Sequence, residues 1–116
     1  MMSTVYTRTG LTTTITGNAT AVTGNITIAN GGPSLVKIDN INNSNVDAFV
    51  NWSVNSNVVA TIANATTPGN SVCVQHGATE FVQVNNPNNS PAKIYFSVAA
   101  TAGSPIVYIT PVAVVR

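Results

Sequence analysis

Charged side chains are scarce in this sequence. Asp, Glu, Lys and Arg make up 6% of the 116 residues, and the formal net charge is +1, whereas an ordinary globular domain contains roughly 25% charged residues. The four cationic residues are scattered, while binding to nucleic acid needs clustered Lys and Arg that neutralise phosphates. We therefore expect no nucleic-acid partner. We also expect the nearly neutral surface to favour association with other proteins.

Cysteine and long apolar runs are nearly absent as well. The single cysteine, Cys73, excludes a disulfide within the chain and is typical of synthesis in a reducing cytoplasm. No apolar run approaches the ~18 residues with which a helix spans a membrane. Residues 1–10 contain no apolar stretch of the kind found in a secretory signal. The sequence therefore predicts a protein that is made in the cytoplasm and has no membrane partner.

Helix-favouring residues are few, and strand-favouring residues are abundant. Leu occurs twice, whereas Val, Ile and Thr number 17, 9 and 16. These β-branched side chains are stiff at χ1 and pack well on a pleated sheet. Clusters of turn residues, such as 30–34, 64–71 and 85–91, separate the strand-forming runs. This rhythm predicts an all-β fold, an antiparallel two-layer β-sandwich of about eight or nine strands, either Ig-like or jelly-roll-like.

Alternation of apolar and polar residues locates the strands. In 46–54 every second residue is apolar, with Trp52 the largest, and in 93–100 the same holds around Phe96, so both rings are expected in the core. The segment 106–115 follows 93–100 after a short loop, and the two are predicted to form a hairpin. Further strands are predicted at 25–29, 35–41, 58–62, 72–75 and 79–84.

The first 24 residues differ from the rest of the chain, because apolar residues are sparse among many Thr. Residues 1–24 form either the first hairpin of the sandwich or an extended arm that pairs with the sheet edge of a neighbouring subunit. Residues 25–116 are assigned to the β-sandwich domain. If the segment is an arm, its apolar side chains bind the partner. These are Val5, Tyr6, Leu11 and Ile15.

Few side chains are available for catalysis or metal binding. Cys73 and His76 have the spacing of half a zinc site, but zinc needs three or four ligands, and positions three apart in a strand point to opposite faces. The other candidate ligands are Asp39, Asp47 and Glu80. A Cys–His pair in catalysis also needs an orienting group and an oxyanion hole. We therefore predict no metal, no cofactor and no catalytic residue, and hence a protein that is not an enzyme.

Four segments carry a resemblance to a known family. They are Ile-Asp-Asn-Ile-Asn at 38–42, Val-Asp-Ala-Phe-Val at 46–50, Pro-Gly-Asn-Ser-Val at 68–72, and the run 98–111, which ends in Val-Tyr-Ile-Thr-Pro. In this order they resemble small structural proteins of tailed bacteriophages, over residues 35–116. The Asn- and Thr-rich, nearly uncharged composition is also similar to that of virion proteins of phages that infect aquatic bacteria, such as cyanophages.

This resemblance implies a component of the virion, synthesised in the cytoplasm of the host. The leading expectation is a capsid decoration (cement) protein that contacts the major capsid protein and stabilises the shell as a homo-oligomer, with a trimer as the first guess. A neck, tail or fibre component is the alternative within the virion. A carbohydrate-binding module is the alternative outside that class.

Overall fold

The computed structural model describes residues 4–29, 31–41, 45–88 and 90–115, and all its regular elements are β-strands. The strands are β1 Val5–Arg8, β2 Thr13–Thr16, β3 Val22–Ile28, β4 Gly32–Asn40, β5 Ala48–Ser53, β6 Val72–Val74, β7 Thr79–Asn86, β8 Ala92–Ala99 and β9 Ile106–Val115. These described residues include no helix of the length and apolarity that crossing a membrane requires.

The strands form two antiparallel sheets. In sheet A the order is β1-β9-β4-β7, with β2 also pairing with β9, and in sheet B the order is β3-β8-β5-β6. The chain crosses between the sheets at every connection from β2 to β9 except the one between β5 and β6. The predicted all-β sandwich is confirmed, and the order of β2 to β9 is that of the jelly roll, the second of the two expected types.

The core lies between the two inner faces, where every second side chain of each strand points inward. Val36 and Ile38 of β4 and Ile109 of β9 come from sheet A, and Val50 and Phe96 come from sheet B. Phe96 is the largest fully buried side chain, as expected. Trp52 packs against the core from its rim and is only partly buried, with its ring centroid 6.0 Å from that of Phe96.

The predicted C-terminal hairpin is wrong. β8 lies in sheet B and β9 in sheet A, so the intervening residues 100–105 cross from one sheet to the other. The crossing is fixed by backbone hydrogen bonds from Ala100 N to Asn18 O (3.0 Å) and from Gly17 N to Pro105 O (2.8 Å). Alternation shows that each strand has one buried face, but it does not show which sheet the strand joins.

A bulge separates β1 from β2 along the same edge of β9. Arg8 pairs with Val112 and Thr13 with Ile109, so four residues of the first segment lie opposite two of β9. Pro111 is one of those two, and Thr9 N donates to its carbonyl at 2.9 Å. Because N and O of a strand residue face the same side, the missing N–H of Pro111 also faces this edge, which interrupts the ladder there.

Within the N-terminal segment, β1 and β2 are therefore part of sheet A of this chain. β1 and β2 both pair with β9 and not with each other, and β3, which begins at Val22, belongs to sheet B. The division of the chain at residue 24 and the role of residues 1–24 as an arm stay predictions. Residues 1–3 lie outside the described residues.

Candidate interaction face

Part of the outer face of sheet B is covered by the chain itself. The long connection between β5 and β6, residues 54–71, lies across it. Ala60 N donates to Ser97 Oγ at 2.9 Å, and Asn51 Nδ2 donates to the carbonyl of Val59 at 3.3 Å. Ala60 and Ser97 are buried as a result. This connection therefore covers the outer face of sheet B around Ser97, while Thr27 of β3 and Lys93 of β8 stay exposed.

The outer face of sheet A is different, because two aromatic rings lie open on it. Tyr6 of β1 and Phe81 of β7 stack with centroids 4.3 Å apart and planes inclined by 20°. β9 and β4 lie between β1 and β7, so the rings meet across two strands. Leu35 and Val112 are register partners on the same face, and Val112 is buried although it is not part of the core cluster. We call these four side chains the outer cluster.

Polar side chains continue the face beyond the outer cluster. Lys37 Nζ lies 3.4 Å from Asp39 Oδ2, and Thr79 Oγ1 donates to the other carboxylate oxygen of Asp39. Tyr108 is the register partner of Asp39 and is 37% exposed. The hydroxyls of Thr110 and Thr12 are joined by a hydrogen bond of 2.7 Å. The face thus combines aromatic rings, hydroxyl groups and one ion pair.

The four apolar residues predicted to bind a partner are divided by the structure. Val5, Tyr6 and Leu11 are exposed, at 56%, 38% and 79%, and Leu11 lies in the bulge. Ile15 is only 4% exposed and belongs to the core, where it anchors β2. Partner binding by the first three stays a prediction. The sequence grouped all four by hydrophobicity, whereas the inward turn of every second residue separates Ile15 from the others.

Phe81, Leu35 and Val112 were missed by sequence reasoning. A signal was present for Phe81, because it shares the polar face of its strand with Thr79 and Gln83. An aromatic residue in such a position points away from the core between the two sheets. Its stacking partner, Tyr6, lies 75 positions earlier in the sequence, and no local pattern connects the two.

Cys73 and His76 do not come together as a site. His76 pairs instead with Asp47: its backbone N and ring Nδ1 both lie 3.1 Å from Asp47 Oδ1. These hydrogen bonds lower the pKa of Asp47, and the bond from the backbone N of His76 has the larger effect. Partial burial, followed by the charges of Asp47 and Glu80, raises the pKa of Cys73 and keeps the thiol protonated. Among the described residues, no three His, Cys, Asp or Glu are grouped to hold a metal ion.

No family model and no curated protein matches this sequence. Among solved structures, the chain is similar to TmCBM61, solved in complex with β-1,4-galactotriose, at 12% identity and a TM-score of 0.38 over 89% of this chain and 68% of that one. It is also similar to the enzymatically active domain of tailspike protein 4 of bacteriophage CBA120, at 16% identity and a TM-score of 0.39 over 97% of this chain and 19% of that one.

A third similar structure is a family two carbohydrate esterase from Cellvibrio japonicus, at 12% identity and a TM-score of 0.29. The match covers 89% of this chain and 33% of the esterase. Likeness at this level carries no conclusion about the function of this chain.

Proposed function

We propose that this chain is a non-enzymatic structural protein of a phage particle, and in its leading form a capsid decoration protein that binds the major capsid protein. The observation that supports this proposal most is the contrast between the two outer faces. Part of the outer face of sheet B is covered by residues 54–71 of the same chain, whereas on sheet A the rings of Tyr6 and Phe81 are exposed to solvent. Aromatic residues that remain exposed on a rigid sheet are typical of protein interfaces.

The charged groups support a role without catalysis. Catalytic acids and bases need pKa values that are tuned by burial or by close charges. Two of the three acidic side chains are engaged in exposed pairs, Asp39 with Lys37 and Asp47 with His76. The third, Glu80, lies exposed on β7. An arrangement of this kind suits a surface that binds and not one that transfers protons.

Attachment to a repeating shell needs only modest affinity at each contact. When several linked copies bind neighbouring sites, each further contact forms at a high effective concentration. A homo-oligomer on the capsid, such as the trimer expected from the sequence, gains attachment in this way. Both the oligomer and the major capsid protein as partner are parts of the proposal.

The first test is the number of copies in purified particles, measured by mass spectrometry against the major capsid protein. A simple fixed ratio to the capsid subunit is expected for a decoration protein. A few copies per particle would move the assignment to the neck, tail or fibre. Absence from particles would overturn both forms of the virion proposal.

A second test uses shells that lack the protein. Phe81→Gln removes one ring of the outer cluster and should weaken binding to these shells, while Val59→Gln, at an exposed residue of the connection over sheet B, should not. Circular dichroism confirms that both variants are folded. Equal binding by the two variants would exclude the outer face of sheet A as the contact.

A specific observation also favours a second candidate function, carbohydrate binding. The tyrosines are scattered in the sequence, but the structure brings Tyr6, Tyr108 and Phe81 to one face beside the Lys37–Asp39 pair. Ring faces that accept apolar contacts, with polar groups around them, are typical of small-molecule sites.

Isothermal titration with a panel of oligosaccharides tests this candidate function. Binding that is lost in Phe81→Ala and kept in Tyr95→Ala would support it, since Tyr95 lies on the outer face of sheet B. No binding by the unaltered chain at millimolar sugar would exclude it.

A further inference from the structure

The strand β1 is held to the sandwich by few interactions. All four of its residues, Val5–Arg8, are exposed. Its ladder with β9 covers Val112–Val115, and one ring contact, Tyr6 on Phe81, joins it to β7. Elements that bury little apolar surface open at a lower free-energy cost than the rest of a fold. β1 is therefore the strand that separates most readily from sheet A.

The bulge at Pro111 gives this separation a defined end. The ladder is already interrupted there, because Pro111 offers no N–H to the edge. Beyond the bulge, β2 is anchored by Ile15 in the core and by a hydrogen bond of 2.8 Å from Thr13 Oγ1 to Asn25 O. Opening of β1 thus stops at residues 9–12 and leaves the eight remaining strands in place.

An opened β1 exposes a slot of particular shape. The edge of β9 at Val112–Val115 presents unpaired backbone N–H and C=O groups, which are a template for an added strand. The ring of Phe81, which reaches over from β7, would stack only on an aromatic side chain at the position of Tyr6. The segment that fits both features is β1 of a second copy of this chain.

We propose that β1 is exchanged between two copies, so that β1 of each chain pairs with β9 of the other. The exchanged pair re-forms the same ladder and ring contact, so the free energy lost on opening is recovered and concentration governs the equilibrium. The net charge of +1 offers little repulsion between copies. This inference does not depend on the proposed virion function, because it concerns the purified chain alone.

Cross-linking between two single-cysteine variants tests the exchange. Both carry Cys73→Ser; one also carries Thr7→Cys and the other Ala113→Cys. Thr7 and Ala113 are register partners of β1 and β9, and adjacent strands bring such partners within disulfide reach. Neither variant can close a disulfide within its own chain. We expect a disulfide between positions 7 and 113 in the mixture, detected by intact mass after mild oxidation, in excess of the 7–7 and 113–113 disulfides that random collision would give, because exchange places β1 of one copy on β9 of the other.

The matched control uses the neighbouring strand. Thr14→Cys and Tyr108→Cys, each combined with Cys73→Ser, mark register partners of β2 and β9. Because β2 is anchored by the core and is not exchanged, their mixture is expected to give no preferred disulfide between positions 14 and 108. Equal cross-linking in the two mixtures, or none in either, overturns the proposal. Light scattering gives an independent measure: a monomer at every concentration up to the solubility limit overturns it as well. Phe81→Ala should accelerate the 7–113 reaction, because it removes the ring that holds β1.

Discussion

Replacement of Asn40 tests how the two sheets are joined. Its side chain is 1% exposed and lies at the end of β4, in sheet A. Its Nδ2 donates to the carbonyl of Val74 in β6 and to that of Val46 just before β5, both at 2.9 Å. Asn40 thus connects sheet A with two segments of sheet B. Asn40→Ala removes the Nδ2 group and with it both hydrogen bonds, and alanine offers no donor to either carbonyl.

The cost follows from the burial of the two carbonyl groups. A buried acceptor left without a partner costs about 1–3 kcal/mol. The bond to Val74 is buried, so its loss costs an amount in the upper part of that range. The bond to Val46 is partly buried, so its loss costs an amount in the lower part. Asn40 Oδ1 is itself buried without a hydrogen-bond partner among the described residues, so its removal offsets part of this cost. We therefore expect Asn40→Ala to lose on the order of 2 kcal/mol, against the ~5–15 kcal/mol that stabilises a typical domain.

Urea unfolding followed by the fluorescence of Trp52 measures this loss, because the Trp52 ring packs at the rim of the core. The midpoint should fall while the slope with urea stays the same, since the surface exposed on unfolding does not change. The control is Asn85→Ala, an exposed position on β7 that should change stability by no more than about 0.5 kcal/mol. A loss in Asn40→Ala no larger than that in Asn85→Ala would refute the reasoning.

Three further predictions concern the core, the bulge and the effect of pH. Phe96→Ala should destabilise by about 3–5 kcal/mol, and Trp52→Ala by less, because its ring is only partly buried; thermal unfolding ranks the two. Gly10→Ala should lower the melting temperature and increase hydrogen exchange in β1, because a Cβ would lie 2.8 Å from Pro111 Cγ. The lowered pKa of Asp47 adds stability that is present above its ordinary value of 3.8 and is lost as pH falls further. Asp47→Asn should therefore reduce the loss of unfolding free energy at acidic pH. An unchanged loss would contradict the pairing of Asp47 with His76.

Alternation predicted most of the strands because it reports burial on one face. The segment 79–84 falls within β7 and 106–115 coincides with β9. The predicted strand at 58–62 is wrong, although Val58 and Ala60 alternate with exposed neighbours as a strand would. This segment lies extended on sheet B and bonds through side chains such as Ser97 Oγ, not through a ladder. Alternation thus reports an extended chain on a surface, and pairing must be learned from the structure.

Aromatic residues show why the candidate face could not be predicted. Only Trp52 and Phe96 point inward, and the remaining aromatic residues occupy outward positions in their strands. Phe49 and Tyr95 lie on sheet B and are partly buried, whereas those of sheet A, such as Phe81, are exposed. Both sets carry the same sequence signal, an aromatic residue among polar neighbours. The difference depends on the tertiary fold, which places the connection 54–71 on sheet B, where it bonds to Asn51 and Ser97.

The same argument shows which experiment separates the proposals. If the outer face of sheet A binds a capsid protein or a sugar, the ring of Phe81 becomes covered while Tyr6 stays on its own chain. If β1 is exchanged, Phe81 stacks on Tyr6 of a second copy, and its environment hardly changes. Fluorine NMR of fluorotyrosine- and fluorophenylalanine-labelled protein therefore gives different results. A partner shifts the Phe81 signal. Exchange leaves this signal in place, while light scattering shows a doubled mass.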